Sequence, residues 1–194
     1  MAPTVRPALP DDIDAIAEIY AHYVAHTVAT FELEAPDGSA WRARFDQVTD
    51  AGLPFLVAEL PADAEPPGDA EPPGAATGLG GGLAGYAYCS PWKPRPAYRR
   101  TVEDSIYVAP WAARRGVGGR LMAALLDGCA AAGVREVIAV IADTGEPGSV
   151  ELHIRHRFVQ AGRLTAVGFK HGRWLDTVLL QRSLADLVSA GQNP

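Results

Sequence analysis

The chain has 194 residues, 48% of them hydrophobic and 21% charged, which suits one buried core and makes no compositional case for global disorder. A formal net charge of −6 argues against nucleic acid as the main partner, and two cysteines are too few for a disulfide framework or a thiolate zinc site, so a reducing compartment is expected. No run is long and apolar enough to span a membrane, and Met1-Ala-Pro-Thr-Val-Arg-Pro7 lacks the apolar core of a signal peptide; the expected location is the cytoplasm, with no membrane partner.

Thr4 to Ala8 reads as a short first strand. Pro10-Asp-Asp12 then offers a turn and a cap for a helix over Ile13 to His26, in which Ile13, Ile16, Ile19 or Tyr20, and Tyr23 recur at three- and four-residue spacing on one face. His22 and His26, one helical turn apart, lack the intervening Glu of a zinc protease motif, and His153, His156 and His171 join no ligand pattern, so no metal is expected. Thr27 to Leu33 is β-branched and aromatic and predicts a second strand. Ser39 is placed to cap a helix running through Ala51, with Trp41, Phe45 and Val48 on one side and Gly52 as its stop. Pro54 to Leu60 predicts a strand.

Pro61 to Gly82 differs in kind. Asp63-Ala-Glu-Pro-Pro-Gly68 is repeated at once as Asp69-Ala-Glu-Pro-Pro-Gly74 and followed by Gly78-Leu-Gly-Gly-Gly82, a composition that cannot bury a core and reads as a mobile loop extending a hairpin. Leu83 to Ser90 resumes as a strand, Pro91 to Tyr98 is too proline-rich for regular structure, and Thr101 to Val108 alternates as a strand. A helix over Val117 to Ala132 places Val117, Leu121, Ala124, Leu125 and Cys129 on one face and stops at Gly133. Glu136 to Ala142 is a continuous apolar run of the doubly buried kind. A short helix from Gly148 to Arg157 and two strands, Ala161 to Phe169 and Trp174 to Ser183, complete the chain around the turn Lys170-His-Gly-Arg173. Strands and helices alternate with a hairpin in the middle, which predicts an α/β or α+β mixed sheet.

Arg114-Arg-Gly-Val-Gly-Gly119 is the stretch that carries chemistry. It joins a strand to a helix, where unpaired backbone N–H groups and the positive end of the helix dipole suit an anion such as a phosphate. Around it, Lys93 to Arg120 holds seven Lys and Arg against Glu103 and Asp104. The stretch lacks both the Gly-Lys-Ser/Thr end of a P-loop and the third glycine of a dinucleotide fingerprint. Read alone, it is equally a plain strand-to-helix connection.

The larger pattern of strand, glycine loop, helix and the strand Val137-Ile-Ala-Val-Ile-Ala142 resembles the acetyl-CoA site of the GNAT superfamily of N-acetyltransferases. Ile19-Tyr-Ala-His22, Gly85-Tyr-Ala-Tyr88 with Pro91-Trp-Lys93, Thr101-Val-Glu-Asp-Ser-Ile-Tyr-Val108 and Gly168-Phe-Lys-His-Gly-Arg-Trp-Leu-Asp176 look, in the family's order, like the phosphinothricin and methionine sulfoximine N-acetyltransferases. The resemblance implies a GNAT fold, with a central mixed, mostly antiparallel sheet flanked by helices. It implies one domain over 1–185, with an insertion at 61–82 and a tail at 186–194. It also implies acetyl-CoA as co-substrate with no metal, a small amino-acid-like acceptor, and a homodimer.

By the same resemblance, the backbone of Ile106, Tyr107 and Val108 receives the pantetheine and thioester end, while Arg114, Arg115, Gly116, Val117, Gly118 and Gly119 wrap the pyrophosphate. Glu146 stands where relatives tend to have Asn beside the pantetheine arm, and Ser149 is retained. Glu103 matches the family's proposed general base, which frees the acceptor's amine for attack by taking its proton. By residue type alone Glu103 is an ordinary strand carboxylate, facing solvent or pairing with Arg99 or Arg100. Asp104, its neighbour, points to the opposite face of the sheet. Lys93 and Arg95 match the segment that holds the acceptor's acidic groups, though the same residues fit a solvated, proline-stiffened loop. Phe31, Tyr98 and Thr101 complete the expected acceptor pocket, and the turn at Lys170 is expected to help close it.

His153 matches a family histidine and is a candidate proton donor to the leaving thiolate; a structural histidine on a helix face is the other reading. Phe158 has no hydroxyl and cannot serve as the tyrosine acid of other superfamily members. Ala113 replaces the Gln or Arg that usually starts the glycine loop. Two further readings stay open at this point. One is a GNAT enzyme for another small amine or a peptide N-terminus, and the other is a non-catalytic CoA-binding module, suggested by Ala113, Glu146 and Arg157.

Overall fold

Seven strands hydrogen-bond into one mixed sheet in the order β1-β2-β3-β4-β5-β7-β6. They are β1 (Thr4–Pro7), β2 (Phe55–Glu59), β3 (Leu83–Pro91), β4 (Thr101–Val108), β5 (Glu136–Ala142), β6 (Val159–Lys170) and β7 (Arg173–Ser183). Helices α1 (Ile13–His26), α2 (Gly38–Asp50), α3 (Val117–Ala131), α4 (Gly148–Arg155) and the short α5 (Ala185–Val188) connect or follow them. The computed structural model describes residues 2–61 and 82–188. The expected loop at 61–82 therefore lies, but for its two ends, outside the described residues, as does the chain beyond 188.

Alternation along the strands sorts the core into two layers. On one face Tyr86, Tyr88 and Tyr107 meet Tyr20 of α1 and Trp41 of α2, all edge-on or stacked at 5.1–6.4 Å. On the other face Ala87 and Cys89 of β3 and Val102 of β4 lie under α3, whose Val117, Leu121, Leu125 and Cys129 are buried. Cys89 and Cys129 touch there as free thiols, Sγ to Sγ 3.3 Å, which agrees with a core thiol at Cys129.

Four local expectations give way to tertiary contacts. Thr27 to Leu33 forms no strand. Its polar groups are taken by side chains: Lys170 Nζ and His171 Nε2 donate to the carbonyls of Thr30 and Thr27, and Tyr20 shares a hydrogen bond with the Thr30 hydroxyl. Asp37 rather than Ser39 caps α2, accepting from the Ala40 N–H at 2.8 Å, while the Ser39 hydroxyl donates to the same carboxylate. β5 is not doubly buried: its burial alternates and Val140 is 37% exposed, because β4 stops covering its flank after Ile138. The expected tail begins as helix α5, held by Arg182 on Asp186 at 2.8 Å. Smaller shifts at element ends place α4 two residues shorter and the last two strands longer than their apolar patterns suggest.

Candidate active site

β4 and β5 run parallel but pair only at Thr101↔Glu136, Val102↔Val137 and Glu103↔Ile138. Beyond Glu103 they part, while β4 stays paired with β3 as far as Val108 and β5 with β7 as far as Ala142. The parting leaves a wedge-shaped cleft with an open backbone edge on each side. Two ladder bonds fix which groups face it: the Ala109 N–H donates to the Ala84 carbonyl and the Trp92 N–H to the Thr101 carbonyl, both toward β3. Antiparallel alternation then turns the N–H and C=O of Ile106 and Val108 into the cleft and those of Tyr107 away from it. Tyr107, named with its neighbours from the sequence, turns its backbone toward β3 instead, and its half-buried ring packs edge-on against Tyr20 and Tyr23 in the aromatic layer. The Val108 carbonyl accepts from the Tyr23 hydroxyl at 2.6 Å, so its N–H remains as the donor facing the cleft.

At the far end of the cleft stands the N-terminus of α3. Gly116 caps it in the left-handed region, φ 79°, a conformation that L side chains rarely adopt, and no side chain caps the first-turn N–H groups of Val117, Gly118 and Gly119. A Cβ on Gly118 would press on Leu152 of α4 at 3.3 Å, whereas one on Gly119 would meet nothing within 4 Å. Gly118 thus brings α3 close to α4, and Gly119 leaves room above the exposed amides. Arg114, also left-handed at φ 62°, is exposed on the approach to these groups, with Arg115 half-buried beside it. N–H donors uncapped among the described residues, the positive dipole and the nearby arginines together suit an anion such as a pyrophosphate.

Across the cleft, the turn between β5 and α4 is tied down by Arg163, which donates to Asp143 at 2.6 Å and to Asp176 at 2.8 Å. Glu146 and Ser149 are exposed at this turn and at the first turn of α4. Glu146 therefore sets a carboxylate near the edge of an anion site.

Glu103 and Asp104 fall on opposite faces, as strand geometry requires, and their surroundings differ sharply. Glu103 lies on the aromatic face and is half-buried. Burial raises its pKa, the charge of Asp104 adds to this, and Lys93 opposes both. Neither Arg99 nor Arg100 pairs with it. A carboxyl held somewhat above its usual range beside the cleft is suited to take a proton near neutral pH. Asp104 is buried on the α3 and α4 face, with Oδ2 3.0 Å from His153 Nε2. The other ring nitrogen, Nδ1, lies 2.7 Å from the Ser149 carbonyl. Burial lowers the His153 pKa, but Asp104 and the carbonyl outweigh it and the net shift is upward. His153 is 2% exposed with both nitrogens engaged, so it reaches the cleft only by giving up one of these bonds.

The expected acceptor residues lie on three segments. Phe31 belongs to the loop between α1 and α2 and leans on the backbone of β6 at Gly168, where a Cβ would collide with its ring. Lys170, 3% exposed, donates to the Thr30 carbonyl at 2.9 Å and so fastens this loop to the β6–β7 hairpin. Burial depresses the ammonium's pKa and nearby Glu32 resists the shift. Lys93 sits over the Trp92 ring at 4.5 Å and within electrostatic reach of Glu103. Arg95 and Tyr98 are exposed on the same segment, at the start and end of a single 3-10 turn, and Thr101 is half-buried where β4 begins.

The structure thus gathers Ile106, Val108, Gly116, Val117, Gly118 and Gly119 around the cleft, with Glu103 at its root. Two participants were missed from the sequence. Tyr23 looked like a core residue, and only its polar tip hinted otherwise. Asp104 carried a clearer signal: it occupies the apolar register of β4, between Val102 and Ile106, where a carboxylate needs a buried partner.

Comparison with known proteins shows the family. The family model described as "Acetyltransferase (GNAT) family" matches residues 34–158. A phosphinothricin N-acetyltransferase from Alcaligenes faecalis is 46% identical over 181 residues, covering 93% of this chain and 82% of that protein. An L-methionine sulfoximine/L-methionine sulfone acetyltransferase from Pseudomonas aeruginosa is 33% identical over 190 residues, 98% of this chain and 99% of the other. Among solved structures, a phosphinothricin acetyltransferase from Sinorhizobium meliloti in complex with acetyl-CoA superposes with a TM-score of 0.82 at 38% identity, covering 100% of this chain and 94% of that one. The parted strands, the bare helix N-terminus and these likenesses lead to one conclusion: the chain belongs to the GNAT family of acetyltransferases.

Proposed function

We propose that the protein transfers the acetyl group of acetyl-CoA to the α-amino group of a small amino-acid analogue of the phosphinothricin, methionine sulfoximine or methionine sulfone type. The observation that carries the reading is the cleft itself, with Glu103 at its root and the N–H groups of Val108 and of Val117 to Gly119 along its length. Acetyl-CoA supplies the acetyl group as an activated thioester. In this reading Ile106 and Val108 align the pantetheine arm as an added strand would, and Val117 to Gly119 with Arg114 and Arg115 bind the pyrophosphate. Ser149 and Glu146 flank the arm from the α4 side.

Glu103 takes the proton of the acceptor's ammonium group, directly or through a water, and the freed amine attacks the acetyl carbon. The Val108 N–H donates to the acetyl oxygen as negative charge builds there. Lys93 and Arg95 hold the acceptor's carboxylate and second acidic group, and Phe31, Tyr98 and Thr101 bound the pocket. His153 remains a candidate donor to the thiolate provided that its bond to Asp104 opens. We assign one catalytic domain to 1–185, with 61–82 as an insertion. The long outer strand β6 exposes Val159, Leu164, Val167 and Phe169, with Trp174 beside them on β7, a surface suited to a second copy of the chain in a cytoplasmic homodimer.

A thiol-release assay with acetyl-CoA and a panel of amines tests the assignment. Turnover is expected with the amino-acid analogues above. Turnover confined to peptide N-termini, or none with any amine despite acetyl-CoA binding, would overturn it.

A further inference from the structure

The geometry points to a proton shared by Asp104 and His153 as the latch that holds α4 against the cofactor strand β4, which makes Asp104 a positioning residue for acetyl-CoA binding. The inference rests on the acetyl-CoA reading of the cleft, but the proton itself follows from the hydrogen bonds alone. A carbonyl oxygen can only accept, so His153 Nδ1, 2.7 Å from the Ser149 carbonyl, must carry a hydrogen. That leaves Nε2 as the nitrogen facing Asp104 Oδ2 at 3.0 Å. A neutral ring in this tautomer would set a bare lone pair against a carboxylate. The contact requires one more proton, on the ring as imidazolium or on Asp104 as carboxylic acid, and the pair holds the same number of protons in either form.

A second observation agrees. Asp104 Oδ1 is buried and has no hydrogen-bond partner among the described residues. A full carboxylate there would leave half its charge without a donor, which the shared proton relieves. Among the titratable groups around the pair, Glu103 neighbours it on the opposite face of β4, the Cys89 and Cys129 thiols lie toward β3 and α3, and His156 follows α4, its pKa lowered by burial, His153 and Arg155. The Phe158 ring meets His153 edge-on at 4.9 Å.

The latch lies where it can act on the cofactor. Asp104 belongs to the strand whose next even positions, Ile106 and Val108, edge the cleft, and Ser149 belongs to the first turn of α4 on its other side. Removing the proton as pH rises sets lone pair against carboxylate and frees α4 from β4. The sign follows: acetyl-CoA affinity is full while the proton is held and falls as rising pH removes it.

Asp104→Asn separates this from a merely structural contact. The amide N–H of asparagine donates to Nε2 without a titratable proton, so the bond survives at every pH. We would measure the acetyl-CoA dissociation constant by calorimetry from pH 7 to 10, and the protonation of the His153 ring nitrogens by 15N NMR. The wild-type constant is expected to rise on the order of tenfold across that range, while Asp104→Asn binds as tightly as wild type at pH 7 and stays flat. The wild-type ring should show Nδ1–H throughout. An asparagine variant that follows the wild-type curve, or a ring whose neutral tautomer carries its hydrogen on Nε2, would overturn the latch. Failure of the acetyl-CoA reading looks different: no form binds at any pH, while the NMR still reports the pair.

Discussion

On the cofactor side of the proposed site most groups come from one run, Ile106 to Gly119, joined by Glu146 and Ser149, and most are backbone N–H groups exposed by a strand that loses its neighbour and a helix that lacks a cap. On the acceptor side Phe31, Lys93 and Lys170 come from three separate segments, and the bond from Lys170 to Thr30 spans 140 positions of chain. In the proposed reading the first half recognises what is constant in its ligand through main-chain geometry, and the second recognises what varies through side chains held in place by tertiary contacts. Such a division would let one fold keep its cofactor while its acceptor changes.

Glu103 stands where the two halves meet, so its loss should give the largest effect. Glu103→Gln is expected to lower kcat by about 10²–10⁴-fold while leaving the acetyl-CoA dissociation constant within a factor of two or so; steady-state rates and calorimetry measure both. Equal losses in both quantities would erase the boundary between the halves. Gly116→Asp attacks the cofactor half alone. It forces a side chain into the left-handed region at about 1–2 kcal/mol and sets a negative charge at the helix N-terminus, so acetyl-CoA should bind on the order of ten- to a hundredfold more weakly. Acceptor KM at saturating acetyl-CoA is the control that should stay put.

Lys170→Met attacks the acceptor half alone. Loss of the donor to Thr30 loosens the loop that carries Phe31, at about 1 kcal/mol, and should raise acceptor KM roughly fivefold without changing acetyl-CoA affinity. The pH dependence sharpens the comparison further. Glu103 works as a base only when deprotonated, and Lys93 favours its charged form. Lys93→Gln should therefore move the acid limb of kcat/KM to higher pH, and added salt should shrink the difference because Lys93 is exposed. The smallest effect is expected from deleting Ala64 to Gly80. Glu59 and Leu83 are already paired across the β2–β3 ladder, so the six-residue connection that remains suffices, and melting temperature and turnover should barely change.

The same division governs how much could be read in advance. β4 appears in the sequence with both its ends correct, and α3 begins at Val117 as expected, because alternation, a left-handed glycine and a helical apolar stripe are local signals. Glu103 and Asp104 were assigned to opposite faces for the same reason. Thr27 to Leu33 was legible only as β-prone. Its actual path is dictated by Lys170 and His171, which no local pattern connects to it.

The sequence by itself determined the order of strands and helices apart from the strand expected at Thr27 to Leu33, the glycine turn that starts α3, and the face of β4 on which Glu103 lies, since these depend on backbone periodicity and residue type within a few positions. Only the tertiary structure decided that β4 and β5 part after Glu103, that Ile106 and Val108 rather than Tyr107 face the gap, and that His153 is occupied by Asp104. Those outcomes depend on which strands end up adjacent and which buried polar atoms must find each other. Such pairings are chosen by the packing of the whole sheet and its helices, 49 positions apart in the case of Asp104 and His153.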